Sequence, residues 1–352
     1  MEFAFSDEQQ MIAETAQAFF TQNATSTRTR AAMAGDGIDR DLWRYFCQDL
    51  GFAGIAIGED LGGAGLGLVE LAIIAEAAGA QVAALPMLGS LLQVAPAIAA
   101  GGSDAQQAEW LPALLSGETI AAYVEVSDLR VEGQLLTGTS RFVTHGAAAD
   151  LLLVTNGEGA WLVRADTPGV TVTTQTSLDQ TRPFARVELD QVAAEALADP
   201  AGGLACAYRT ALVGIAAEAL GGAQSCLDRT VDYSKERIQF GRPIGSFQAY
   251  KHRLADMMIE IEQARSAVYW AACALDEEAP DAPLALHAAK SFATDTYFRC
   301  AGDMIQLHGG IGFTWEHDAH LFFKRARSLQ TMLGNGDWHR ERIASMILGE
   351  AA

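Results

Sequence analysis

Two segments in the C-terminal third carry residues whose chemistry suits a phosphorylated ligand. The first runs Glu236-Arg237-Ile238-Gln239-Phe240-Gly241-Arg242-Pro243-Ile244-Gly245-Ser246-Phe247-Gln248. It joins a guanidinium, the group suited to bidentate contact with phosphate oxygens, to side-chain amides that can reach the edge of a base. The second runs Gln306-Leu307-His308-Gly309-Gly310-Ile311-Gly312-Phe313-Thr314-Trp315-Glu316-His317-Asp318. Its glycines offer backbone N–H groups with no Cβ in the way. Each segment alone reads equally well as a helix end followed by a surface loop, since glycine after a helix is common. His308 and His317 have no third partner at metal-ligand spacing, so no metal site is expected.

Positioning these residues falls to elements of two kinds. Residues 1–115 read as helical: Ser6 and Gln9 have capping-box spacing, and Ile12, Ala16, Phe19 and Phe20 follow at helical period. Asp41, Leu42, Trp43 and Phe46 open another helix. The loop GEDLGGAGLG (58–67) precedes an apolar helix over Leu68–Ala78. Residues 116–202 change character. AAYVEV (121–126), RFVTHG (141–146), DLLLVTN (150–156), AWLVRAD (160–166) and GVTVTTQ (169–175) are short, rich in Val, Thr and Leu, and separated by polar turns, which predicts a β-rich domain. From 203 to 352 the helical period returns, over 205–235, 245–275, 284–308 and 337–348. The order helical, β, helical predicts an α+β chain of three domains, 1–115, 116–202 and 203–352.

Composition narrows the function classes. The 352 residues are 50% hydrophobic and 19% charged, with a formal net charge of −20, so large cores are available and a nucleic-acid or anionic-membrane partner is disfavoured. A few local arginines and helix N-termini still suffice for a phosphorylated cofactor. The five cysteines, at 47, 206, 226, 273 and 300, form no CxxC pair, which fits free thiols in a reducing cytoplasm. The N-terminal stretch has no basic n-region and reads as no signal peptide. The apolar run 88–101 is short and holds Pro96, and no stretch is expected to span a membrane.

Taken together, the two C-terminal segments resemble the acyl-CoA dehydrogenases. The first is similar to that family's R-x-x-F-G segment with its later Gln, the second to its Q-x-x-G-G-x-G segment, and GEDLGGAGLG to its P-E-x-x-G-G-x-G loop. HRERIA (339–344) sits where members carry a similar basic helix. The resemblance spans essentially the whole chain. It implies the acyl-CoA dehydrogenase fold, with a helical N-terminal domain, a β middle domain and a C-terminal four-helix-bundle-like domain. It also implies FAD, a tetramer, α,β-dehydrogenation of an acyl-CoA thioester, and an electron-transfer flavoprotein or similar acceptor. Carried over by residue, it sets Arg237 and Gln239 at the FAD pyrophosphate of a neighbouring subunit and Phe247 and Gln248 by its adenosine half, with Phe240 also cofactor-binding. Gln306, Leu307, His308, Gly309 and Gly310 line the adenine and pyrophosphate side. Phe142, Val143 and Thr144 resemble the family's W-I-T segment beside the flavin ring, with Phe in place of Trp. Asn335 and Asp337 fall at polar positions near the cofactor.

Two departures stand out. Dehydrogenation needs a base for the proton α to the thioester, normally a Glu. Many members carry it in a Y-E-G-T segment, and anchoring on Gly334 puts Leu333 at that place. Others carry it early in the first C-terminal-domain helix, where Ala211 falls. The second departure is the family's T-E-P-x-A-G-S-D loop: here Glu125-Val126-Ser127-Asp128 runs straight into Leu129-Arg130. Among remaining acids, Glu218 lies seven residues after Ala211 on nearly the same helix face, and burial could raise its pKa for use as a base. A paired structural acid is the other reading of Glu218. Asp337 suits a cofactor role better than a base, and Glu316 reads as structural or cofactor-side. With base and loop both missing, the chain resembles the base-less subunit of the family's α2β2 enzymes, paired with a homologous acyl-CoA dehydrogenase subunit and acting on a bulky, steroid-like CoA thioester. A self-sufficient homo-oligomer using Glu218 and a non-catalytic flavin-binding or scaffolding protein are the alternatives.

Overall fold

The computed structural model describes residues 5–349. Six helices open the chain: α1 (Asp7–Asn23), α2 (Ser26–Met33), α3 (Arg40–Arg44), α4 (Leu68–Ala80), α5 (Ala95–Gly101) and α6 (Asp104–Leu115). The expected capping box is present on α1: Ser6 Oγ accepts from Gln9 N–H at 3.2 Å, and Gln9 Oε1 accepts from Ser6 N–H at 3.0 Å. A second box, Ser103 with Gln106, starts α6. The helix expected at Asp41–Phe46 is only five residues of α-helix, continued as a π-helical turn over Tyr45–Asp49.

Eight strands follow, β1 (Ala121–Glu125), β2 (Arg130–Glu132), β3 (Leu135–Thr144), β4 (Leu151–Thr155), β5 (Ala160–Arg164), β6 (Val170–Gln175), β7 (Phe184–Ala193) and β8 (Glu195–Ala196). They make two four-stranded sheets, ordered β1-β4-β5-β8 and β2-β3-β7-β6. Among the described residues only β1 and β4 pair in parallel. The run 151–154 is apolar throughout because both faces of its sheet are covered. Leu151 and Leu153 join Trp110, Leu111, Leu114 and Ile98 of the preceding helices. Leu152 and Val154 face the second sheet, against Leu136, Val187 and Val192.

The rest is helical: α7 (Pro200–Glu236), a small hairpin of β9 (Ile238–Gln239) and β10 (Arg242–Pro243), then α8 (Gln248–Asp276), α9 (Ala282–His308), α10 (Ala319–Thr331) and α11 (Gly336–Leu348). The apolar stretch of α7 is long enough by composition to cross a membrane, contrary to the sequence expectation; 72% of it is buried inside the protein, as in a core helix. Within the helical unit, α4 and α7 approach at backbone distance. A Cβ on Gly79 would collide with the Glu218 carbonyl, and one on Gly221 with the Glu76 carbonyl.

Contacts divide the chain into two units. One comprises 1–26, 68–83 and 212–352; the other comprises 27–67 and 84–211. The N-terminal helices are thus shared out: α1 and α4 pack with the C-terminal helices, whereas α3, α5 and α6 pack with the strands.

Candidate functional site

The Arg237 segment forms a tight hairpin off the end of α7. Arg242 pairs with Gln239 and Pro243 with Ile238, leaving Phe240 and Gly241 as the two turn residues. Both have positive φ, 53° and 77°, the backbone that a two-residue hairpin needs. Phe240 at its tip is 93% exposed and Ile238 60%. The base of the hairpin is stiffened by Phe247, which takes the Arg242 guanidinium over its ring at 4.0 Å and the edge of Phe240 at 6.3 Å. The Arg237 guanidinium is exposed and has no hydrogen bond or ion pair among the described residues, while Gln239 Nε2 donates only to the neighbouring Ile238 carbonyl. Gln248, the first residue of α8, is exposed.

The second segment ends α9. Gln306 is exposed, and Gly309 (φ 64°) breaks the helix. No atom lies within 4 Å of where a Cβ on Gly309 or Gly310 would be, so their backbone stands open to a ligand. Tyr250 of α8 buttresses this turn by donating its hydroxyl to the Leu307 carbonyl at 3.1 Å; burial pushes that hydroxyl up to about 12. His308 corrects one expectation. Its imidazole is turned inward, stacked on Tyr233 at 4.4 Å, and Nδ1 donates to the Met304 carbonyl at 2.7 Å. Burial holds it below the usual histidine value, with His317 adding to the effect and the Met304 contact opposing it. Only the backbone of residue 308 is left for a ligand.

In the strand-bearing unit, Phe142 sits on a β-bulge. The β3–β7 register shifts between Ser140 and Val143, and Phe142 has φ 63°, a strained backbone for a bulky residue. The bulge turns the Phe142 ring outward, 66% exposed, with Phe184 at its edge 5.9 Å away. Val143 is the reverse case: its side chain belongs to the core between the sheets. Thr144 is half-buried opposite Phe184. Only four residues, 126–129, join β1 to β2, so the short connection inferred from the sequence is a tight turn, with Val126 itself buried.

Leu333, where the resemblance puts the base, lies in a turn between α10 and α11. Leu333 has φ 53° and Gly334 φ 99°, and the side chain at 333 is aliphatic. Asn335 caps α11, its Oδ1 accepting from Trp338 N–H at 2.9 Å. Asp337 is exposed and bonded to Arg340 at 2.7 Å. Both polar groups therefore have local duties that the sequence did not reveal. Ala211 is wholly buried. Glu218 fails as a replacement base: Arg325 of α10 donates to its carboxylate inside the bundle, both side chains being buried. A buried carboxylate engaged by a guanidinium in this way is the paired structural acid, the other reading of Glu218.

Sequence reasoning passed over Lys290. It is fully buried in α9, where Nζ donates to the Gly334 carbonyl at 2.6 Å and the Gln330 carbonyl at 3.2 Å. The available signal was a lysine at helical spacing on a face otherwise made of Leu286, Ala289, Ala293 and Tyr297.

An exposed unpaired guanidinium on a stiff hairpin, an open glycine turn and an outward aromatic ring, on a helical–β–helical chain, are features of a protein that binds a nucleotide-type cofactor through phosphate and ring contacts. Comparison with known proteins specifies the class. The family model for the acyl-CoA dehydrogenase N-terminal domain matches residues 6–118, and that for the C-terminal domain matches 211–348. The chain is 38% identical over 331 residues to acyl-CoA dehydrogenase IpdE2 of Mycobacterium tuberculosis, covering 93% of each. Among solved structures, it is similar to a chain of the Tcur3481–Tcur3483 steroid ACAD (32% identity, TM-score 0.88, covering 97% of this chain and 98% of that one). It is also similar to a chain of the ChsE4–ChsE5 complex from Mycobacterium tuberculosis (28% identity, TM-score 0.89, covering all of both). The chain belongs to the acyl-CoA dehydrogenase family, and its cofactor is FAD. The open Gly309–Gly310 backbone and the unpaired Arg237 fit a pyrophosphate-bearing group.

Proposed function

We propose that this chain is the FAD-gripping, base-less subunit of a heteromeric acyl-CoA dehydrogenase, working beside a homologous subunit that carries the catalytic Glu. The observation that carries this reading is Leu333: an aliphatic side chain stands at the family's base position, and the one acid offered in compensation, Glu218, is engaged by Arg325. The tight 126–129 turn adds that the family's substrate-side loop is absent. Such a chain still keeps a usable half-site. Arg237 would bind pyrophosphate and the Gly309–Gly310 backbone would donate to it. FAD, when bound, accepts the hydride that leaves the β carbon of the thioester, and an electron-transfer flavoprotein or similar acceptor would then take the electrons. The partner's Glu would take the α proton.

The exposed Phe240 and Ile238 support assembly, since apolar rings this open at the tip of a stiff hairpin are suited to burial against another chain. The substrate proposed is a bulky CoA thioester of steroid type, because the similar two-chain Tcur3481–Tcur3483 structure is a steroid ACAD. The test is co-expression with a homologous acyl-CoA dehydrogenase subunit that carries the Glu, followed by measurement of flavin content and of steroid-CoA and fatty-acyl-CoA oxidation with an artificial acceptor. An active, fully flavinated oligomer of this chain alone would refute the proposal.

A further inference from the structure

Beneath the turn at Leu333–Gly334 lies a group of ionisable side chains outside the proposed cofactor contacts. Lys290 of α9 is 0% exposed, and its amine reaches two carbonyls, one from the last turn of α10 and one from the turn that follows. His339 of α11 is also 0% exposed. Its Nδ1 lies 2.7 Å from His287 Nδ1, so one ring donates and the other accepts. A Cβ on Gly334 would come within 3.2 Å of His339 Nε2 and 2.6 Å of the Trp338 ring. The Leu333–Gly334 backbone is thus seated on His339 and Trp338 and tied down by Lys290. Both turn residues have positive φ, a conformation that Leu333 would not hold unaided.

We propose that Lys290 is a positioning residue whose protonated amine clamps the 332–336 turn, and that proton loss from it releases the turn and the residues it presents, Asn335 and Asp337. The link to FAD rests on the function proposed above; the clamp itself does not. As an ammonium, Lys290 gives charge-assisted hydrogen bonds to both carbonyls, which are about twice as strong as neutral ones. Neutralised, it keeps two weaker donors. Burial brings this lysine down to about 8, with Asp295 opposing the shift, so release falls in an accessible pH range. The surrounding groups do not take over its proton. Burial, then Lys290 and His287, hold His339 down to about 3, and burial and Arg342 lower His287. On α11, Arg340 is bonded to both Asp295 and Asp337. On α10, Arg327 is bonded to the Gln330 side chain.

The test is hydrogen–deuterium exchange of the flavinated assembly from pH 6.5 to 9.5, corrected for intrinsic rates. Protection of residues 330–337 should fall about tenfold as pH passes 8, while the core of α9 stays protected. Lys290→Met should show the low protection at every pH. Asp295→Asn should move the transition to lower pH, because the carboxylate that favours the ammonium is gone. Protection of 330–337 that is flat with pH in the wild type overturns the clamp, and that arm needs no variant to fold. Protection falling as described with flavin content unchanged keeps the clamp and removes Asn335 and Asp337 from the cofactor site.

Discussion

Arg237 and Glu218 are both charged, and the structure gives them opposite fates. Arg237 is exposed and unpaired, so its value lies in what it meets outside the chain. Arg237→Ala should leave folding intact and weaken flavin retention in the assembled enzyme by about tenfold or more, the loss of one charge-assisted contact. Equilibrium dialysis of flavin checks this; unchanged affinity removes Arg237 from the site. Glu218 is spent internally on Arg325. Glu218→Gln breaks that buried ion pair and should cost about 3 kcal/mol of stability by denaturant titration. Turnover of the assembled enzyme should stay within a few-fold, and a fall of several orders of magnitude with FAD retained would make Glu218 the base. Leu333→Ala should likewise spare turnover, since no proton transfer uses that side chain.

At the scale of elements, two features of the helical unit set its tolerance. The first is the glycine contact between α4 and α7. Gly221 has no room for a Cβ against the Glu76 carbonyl, so Gly221→Ala must push the helices apart. We expect a loss of about 1–3 kcal/mol, read as a lower denaturation midpoint. The second is the packing of α11 on α9 through His339. Its folded pKa, about 3, lies below the ordinary histidine value, so the unfolded chain binds the extra proton first as pH falls. His339 therefore contributes stability above its unfolded pKa of about 6.5 that is lost on acidification toward 3. The stability gap between wild type and His339→Gln should narrow over that window, measured by denaturation at pH 7, 5 and 4. A gap that is constant with pH would mean His339 is not buried neutral.

For the whole molecule, the distribution of intact and eroded parts argues for a mixed assembly. The hairpin and glycine turn are well formed and exposed, whereas residue 333 is an aliphatic Leu and only residues 126–129 join β1 to β2. A homo-oligomer would pair each sound half with an eroded one. Co-expression with the partner should give an α2β2 assembly with about one FAD per heterodimer, stabilised by ligand linkage. The lone chain should hold little FAD and show no acyl-CoA oxidation. Flavin absorbance per chain, with native mass spectrometry, decides between these outcomes.

What the sequence determined by itself was everything written in local pattern. The Ser6–Gln9 cap, the runs that became β1, β4, β5 and β6, the long helices α7, α8 and α9, and the two glycine-bearing cofactor segments follow from spacing and residue type along the chain. So does the aliphatic character of Leu333, at the place where the resemblance expects a base. Tertiary structure decided what depends on neighbours far away in sequence. Pairing of Glu218 with Arg325, 107 residues on, turned a candidate base into a structural acid. The outward ring of Phe142 required a bulge set by β7, itself not foreseen because its FARVELDQVA sequence carries charges along its exposed face. The inward turn of His308 followed from Tyr233 on another helix. Lys290 shows the reason most plainly: a lysine in an apolar helix face reads locally as a misfit. It becomes intelligible only when folding brings two carbonyls, from residues 330 and 334, within reach of its amine.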